Sequence, residues 1–188
     1  MGLDITVGFD NAADFLFDHE ESDDDKWRNQ HELSRTFCNL ICLYGIEEVD
    51  SELAQIEVNA RLDVTPFYLM QNYLTEVDIE EALRFHEQDE QEFREECKQE
   101  NAKVEGNLDQ IIQLSEQLID YLQQHPTIYS ELNDHGFDTL GSDYFKDLTA
   151  IKIADYSDNN ITQDLKNLQR IAQFGKLNGA KTIFFVFC

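Results

Sequence analysis

Two cysteines lie four residues apart in a segment whose pattern predicts a helix. Cys38 and Cys42 would share one face of that helix, and thiolates are common ligands of soft metal ions. A structural zinc site needs further ligands at close spacing, and the neighbouring sequence offers none. Cysteine is also one of the residue types most often found buried. The pattern therefore favours structural thiols, and we expect neither a metal ion nor a cofactor.

Carboxylates are the other side chains that could take part in metal binding or catalysis. The acidic run from His19 to Asp25 could offer oxygen ligands to a divalent cation, but it lacks the glycine of a calcium-binding loop. Carboxylate pairs can act as general acid and base, yet among 39 Asp and Glu residues some pair always looks suitable. His31, His86 and His135 have no neighbouring nucleophile motif, and no glycine-rich phosphate loop is present. We therefore expect a protein that is not an enzyme, with a metal-dependent enzyme as one alternative.

The net charge is the most unusual property of the chain. The formal charge is −25 over 188 residues, whereas a magnitude of roughly 2 to 8 is enough to keep a small domain in solution. Residues 1–136 contain 33 acidic and 8 basic side chains, and residues 137–188 contain 6 of each. This asymmetry favours a localised acidic surface over the even distribution expected of a salt-adapted protein. Direct binding to nucleic acid is disfavoured, because it requires clustered Lys and Arg.

Cysteine usage and hydropathy indicate the compartment. The four cysteines stand at irregular spacings, and the sequence shows no hydrophobic signal segment, which is typical of thiols in a reducing environment. No apolar run approaches the roughly 20 residues that a membrane-spanning helix requires. We expect a cytoplasmic protein that does not bind membranes.

The two ends of the chain carry strand signals. Apolar residues alternate with polar ones from Leu3 to Phe9, which predicts a strand with one solvated face. Ile183 to Phe187 are five consecutive apolar residues, which predicts a strand covered on both faces. A weaker alternation predicts a third strand over 148–154. Between these strands, apolar residues at three- and four-residue steps predict helices over 30–44, 52–62, 66–74 and 163–176.

From Ile79 to Leu122, the positions of one predicted helix face, which we call the seam, recur at three- and four-residue steps and are apolar at both ends. It predicts either one very long helix or two helices hinged near Gly106. The middle of the seam contains polar residues, so we expect it to leave the core. Residues 86–105 contain eight acidic and three basic side chains, which an exposed helix tolerates better than a buried one.

These elements predict one predominantly helical α+β domain over residues 1–188, a helical bundle whose small sheet pairs the N-terminal and C-terminal strands. The acidic stretch within 79–122 is expected to form its most charged helix or helical hairpin.

Charge and architecture together suggest a binding protein for a basic protein partner. The first hypothesis is an immunity- or antitoxin-type inhibitor of a bacterial nuclease toxin. The expected contact residues are acids of the long helix, acids of the N-terminal loop and three aromatic anchors: Glu87, Asp89, Glu90, Glu92, Glu95, Glu96, Glu100, Asp23, Asp24, Asp25, Trp27, Tyr68 and Tyr73. A nucleic-acid mimic that inhibits a DNA-binding or defence protein is a second hypothesis. A scaffold module that oligomerises through the long helix is another.

Overall fold

The computed structural model describes residues 5–11, 31–44, 51–85, 89–133, 142–145, 148 and 159–187. The predicted contact residues Asp23, Asp24, Asp25, Trp27 and Glu87 lie outside these ranges, as does all of the predicted strand 148–154 except its first residue.

The chain is mostly helical, with one small antiparallel sheet, as the sequence predicts. The strands and helices within the described ranges are, in order, β1 (Ile5–Phe9), α1 (Arg35–Tyr44), α2 (Glu52–Ala60), α3 (Thr65–Leu69), α4 (Glu76–Leu83), α5 (Glu90–Ala102), α6 (Leu108–Gln124), α7 (Ile161–Leu177) and β2 (Ile183–Phe187). Short 3₁₀ turns occur at Met70–Asn72, Ile128–Glu131 and Ser142–Phe145.

The sheet joins the two ends of the described chain. β1 pairs antiparallel with β2, and Val7 lies opposite Phe185 at the centre of the register. Both residues are buried in the hydrophobic core, as are Ile5, Phe9 and Ile183 on the same face of the sheet, and Phe187 is half-buried beside them. On the other face, the ring of Phe184 lies directly against Gly8, where a side chain on the glycine would collide with it. Val186 is exposed, so β2 is covered on both faces only in its first three residues.

The core lies between this sheet and the helices. α6 packs along α7, and each helix turns its apolar face inward. α1 contributes Phe37 and Ile41, which are fully buried, and the Phe37 ring meets Phe185 of β2 edge-on at 6.2 Å between centroids. Burial of such side chains stabilises the fold by about 1.5–3 kcal/mol each.

One helix cap follows the sequence pattern, and two other helices differ from it. Ser51 directly precedes the predicted helix 52–62, and its side chain accepts a hydrogen bond from the Ala54 amide and caps α2. For α7, the sequence suggests Thr162 as the cap, but the side chain of Asn160 accepts the capping bond from Gln163, and Thr162 lies buried inside the helix. α3 includes Thr65 and then tightens into a 3₁₀ turn, so it ends earlier than predicted.

The 79–122 segment forms three helices rather than one or two. Gly106 adopts a positive φ of 76° between α5 and α6, where the two-helix alternative places its hinge, and glycine takes this conformation without strain. A further interruption separates the end of α4 at Leu83 from the start of α5 at Glu90. None of the helices in the described ranges has the length and apolar character that a membrane crossing needs.

The start of α6 is tied to β2 through one side chain. The Asn107 amide donates to the Ile183 carbonyl and accepts from the Ile183 amide, both at 2.9 Å. The Leu108 amide also donates to the Lys181 carbonyl. These bonds satisfy backbone groups of β2 at a position where β1 does not reach them, and they fix where the α4–α5 region joins the body.

Candidate partner-binding surface

α4 and α5 pack against each other outside the main core. Ile79 of α4 and Cys97 of α5 are buried, but neither belongs to the hydrophobic cluster that holds the sheet, α1, α6 and α7 together. The Asn101 side chain anchors α5 to the body, because its amide donates to the Leu74 carbonyl at 2.8 Å and accepts from the Leu74 amide at 2.9 Å. This agrees with the expectation that the middle of the seam leaves the core.

The surface of this helix pair is strongly acidic. The described residues from 76 to 105 carry eleven carboxylates and four basic side chains, a net charge of −7. Ten of the eleven carboxylates are exposed, and Glu100 is half-buried. Such a surplus at one site raises the local negative potential and attracts positively charged surfaces.

One part of this surplus is neutralised within the helix pair. Arg94 of α5 bonds to Glu90 one turn earlier, to Glu76 of α4 and to Glu80 of α4. These three carboxylates raise the pKa of the Arg94 guanidinium, chiefly through the hydrogen bond to Glu80, so its charge is permanent. The contact fastens α5 to α4. Glu90 therefore serves to hold the helix pair together as well as adding to the acidic surface.

Two further predicted contact residues have local partners. The Asp89 carboxylate caps α5 by accepting from the amides of Gln91 and Glu92, and a negative charge at a helix N-terminus is favourable. Glu100 bonds to Lys103 through both oxygens, at 2.6 and 2.8 Å. Asp89 keeps its net charge when it caps, whereas Glu100 is neutralised by its lysine.

The remaining acids form what we call the acidic stripe, Asp89, Glu92, Glu95 and Glu96. Their three- and four-residue spacing places them on one side of α5 over about 10 Å of helix, and all four are exposed. They line a shallow concavity together with Gln91 and Gln99. Glu92 and Glu96 make no ion pair with the described residues, and Glu95 reaches Lys98 only at 4.0 Å. The stripe is therefore the part of the predicted acidic surface whose charge is least compensated.

Neither of the predicted tyrosine anchors lines the concavity of this stripe. Tyr73 stacks on Phe184 of β2 with ring centroids 4.3 Å apart. Burial, followed by the charges of Glu105 and Asp10, raises the pKa of its hydroxyl. Tyr68 is half-buried on α3. Tyr73 thus has a packing role that its sequence position does not indicate.

Two exposed apolar residues on α4 and just after it went unnoticed in the sequence. Phe85 is 82% exposed and Val77 is 74% exposed. Val77 stands between Glu76 and Asp78 in the chain. An exposed phenylalanine is a common anchor in protein interfaces. The available signal was that Phe85 falls between charged residues at the end of the α4 pattern, off the seam defined by Ile79 and Leu83.

A buried polar cluster was also missed. Asp164 in the first turns of α7 is fully buried and accepts four hydrogen bonds: from the Ser34 amide and hydroxyl, the Tyr144 hydroxyl and the Asn159 side-chain amide, at 2.6 to 2.9 Å. Ser34 in turn caps α1 by accepting from the Phe37 amide. The cluster joins α1, α7 and the Ser142–Phe145 turn. Its donors lie 5, 20 and 130 positions from Asp164 in the chain, so no single local motif predicts the cluster.

Burial governs the ionisation of this cluster. Loss of hydration raises the pKa of Asp164 from 3.8 to about 6, although the four donors oppose the shift. Burial and the neighbouring Asp164 charge raise the pKa of Tyr144 well above its usual value, so its hydroxyl remains a donor. Because every donor to Asp164 comes from the protein itself, the arrangement is suited to holding helices together.

In the part of the chain that the structure describes, no three His, Cys, Asp or Glu side chains converge as metal ligands. No known protein-family model, curated protein or solved structure matches this chain.

Proposed function

We propose that this protein binds a basic protein partner through the acidic stripe and inhibits it, in the manner of an immunity protein or antitoxin that neutralises a bacterial nuclease toxin. The observation that carries the proposal is the row of exposed, poorly compensated carboxylates along one side of α5. The net charge of −25 adds a long-range field of the same sign.

The choice of a nuclease follows from charge complementarity. A nuclease binds phosphates in a cleft lined by Lys and Arg, and carboxylates spaced along a helix can occupy the places of those phosphates. Complementary charge accelerates encounter up to about 10⁸ to 10⁹ M⁻¹s⁻¹ at low salt. Residence time depends on buried anchors. Phe85, which is 82% exposed and stands four residues before Asp89 in the chain, is the anchor that we propose.

The test compares two variants that remove the same number of charges. The stripe variant carries Glu92→Gln, Glu95→Gln and Glu96→Gln. The control variant replaces three exposed acids on and after α6, through the changes Glu116→Gln, Asp120→Asn and Glu131→Gln. Each protein is immobilised and used to capture proteins from a bacterial lysate at low and moderate salt, and the captured proteins are identified by mass spectrometry and assayed for nuclease activity.

We expect the wild-type and control proteins to retain the same basic nuclease and to inhibit it at one-to-one stoichiometry. The stripe variant should bind it at least about tenfold more weakly at low salt, with a smaller difference at high salt, where screening weakens all exposed charges. Equal loss of binding in the two variants would mean that net charge, and not the stripe, mediates the interaction. Capture of many DNA-binding proteins, each released by DNA, would favour a nucleic-acid mimic instead.

A further inference from the structure

The two cysteines of α1 lie side by side in an unusual setting. Their sulfur atoms are 3.9 Å apart, close enough for a thiol to donate to its neighbour. Cys38 faces the core and is 1% exposed, whereas Cys42, one turn later, is half-buried at the edge of the same core. Cys42 is therefore the more exposed of the two residues, and Cys38 lies deeper in the protein.

We propose that Cys38 and Cys42 form a redox-reactive dithiol, in which a hydroperoxide oxidises Cys42 and Cys38 then closes a disulfide within α1. In the first step the Cys42 thiolate attacks the peroxide, the O–O bond breaks, and a sulfenic acid and water or an alcohol form. In the second step the Cys38 sulfur attacks the sulfenic sulfur, an S–S bond forms, and water leaves. The two electrons pass from the thiols to the peroxide.

The environment of Cys42 supports its role as the attacking thiol. The hydrogen bond from Cys38 lowers the pKa of Cys42 from 9.0 to about 7, although burial acts in the opposite direction. About half of the Cys42 side chains are then thiolates at pH 7. Allowing for the weaker intrinsic nucleophilicity of an acidic thiol, Cys42 should react roughly 5- to 10-fold faster than an unperturbed thiol. Burial raises the pKa of Cys97, so that residue should react more slowly.

Helix geometry makes the resulting disulfide labile. Side chains four apart on a helix have Cβ atoms about 5–6 Å apart, whereas a disulfide requires about 3.5–4.5 Å. Closing the bond must distort α1 by about 1 Å or more, and strained disulfides are readily reduced. The adjacent positions Phe37 and Ile41 are fully buried, so the distortion reaches the core. The oxidised protein should therefore melt at a lower temperature than the reduced one.

The experiment treats the full-length protein with hydrogen peroxide at pH 7 and maps its tryptic peptides. Cleavage after Arg35 and Arg61 releases one peptide that contains both Cys38 and Cys42, while Cys97 falls in another. We expect the 36–61 peptide to lose the mass of two hydrogen atoms, reversibly with dithiothreitol, in the wild type and in the matched control Cys97→Ser. In Cys38→Ser the mass loss should vanish, and dimedone should trap a sulfenic acid at Cys42.

A second measurement does not depend on the folding of the variants. In the wild-type protein, the preference for Cys42 over Cys97 should disappear in concentrated urea, where the two sulfurs are no longer held together. The proposal is overturned if the native 36–61 peptide resists oxidation while another cysteine reacts. It is also overturned if Cys42 pairs with a different cysteine, or if its preference persists in urea.

Discussion

Replacing Asp164 with asparagine removes the negative charge of the buried cluster and leaves a side chain of nearly the same size and shape. Two donors to Asp164, the Ser34 amide and the Asn159 side chain, point at the same oxygen and suit an amide carbonyl equally well. The other two donors are the hydroxyls of Ser34 and Tyr144, which can rotate and accept from the new amide group. We therefore expect Asp164→Asn to fold with the cluster intact but without a titrating group.

The magnitude follows from the raised pKa of Asp164. A carboxyl whose pKa is 3.8 in the unfolded chain and about 6 in the fold stabilises the folded state most when it is protonated. This stability is fully present below pH 3.8 and is lost as the pH rises through 6. Proton linkage gives a loss of about 1 kcal/mol between pH 5 and pH 7. The amide variant does not incur this loss, since its side chain stays neutral.

The assay is urea unfolding of wild type and Asp164→Asn at pH 5, 6 and 7. The free energy of unfolding of the variant minus that of the wild type should increase by about 1 kcal/mol from pH 5 to pH 7. Taking the difference cancels the titration of the other acids, which both proteins share. A difference that stays level or decreases with pH would refute the reasoning, because it would mean that the four donors outweigh burial and hold the pKa at or below its ordinary value.

Three further substitutions test other contacts. Asn107→Ala should lower the free energy of unfolding by about 2–4 kcal/mol in urea titrations, because it leaves the buried amide and carbonyl of Ile183 without the Asn107 side chain as a partner. A loss below about 1 kcal/mol would contradict the importance of these two hydrogen bonds. Gly175→Ala should lower the melting temperature and reduce the free energy of unfolding by about 1–3 kcal/mol, since a methyl group there collides with the Phe9 ring. A variant more stable than the wild type would show that the Phe9 ring can move aside without loss of packing. Arg94→Gln should speed amide hydrogen exchange in α4 and α5 but not in α6, and 1 M salt should reduce this difference from the wild type. An equal change in the exchange rates of all three helices would show that Arg94 does not hold α5 against α4.

The fold class was predictable because its signals are local and periodic. Alternation from Leu3 to Phe9 and the apolar run from Ile183 to Phe187 identify both strands, and their pairing follows because neither can stand alone. Ser51 before α2 is a cap that needs only its own helix to function. Helix ends were less predictable, since Asn160 and Thr162 are both competent caps and only packing decides between them.

The contacts that organise the surface were not predictable from local patterns. The sequence identifies Glu90 and Glu96 equally as acids of one helix, but Arg94 neutralises only the first, together with carboxylates from α4. In the sequence, Asp164 resembles an ordinary surface acid near the start of a helix. Its role in the cluster is not visible there, because its hydrogen-bond donors lie 5, 20 and 130 positions away. Pairings of this kind depend on how the helices pack, which periodicity does not encode.

The sheet register has a consequence for the order of events in folding. Phe9 pairs with Ile183, 174 positions later in the chain, so β1 leaves the ribosome long before its only described partner strand exists. Until then the apolar side chains and unpaired backbone of β1 are open to other proteins, and the newly made chain must close a very large loop to protect them. Loop closure over such a distance is entropically costly and slow. A chaperone that shields an N-terminal strand during synthesis would therefore have more effect on this protein than on one whose strands are neighbours.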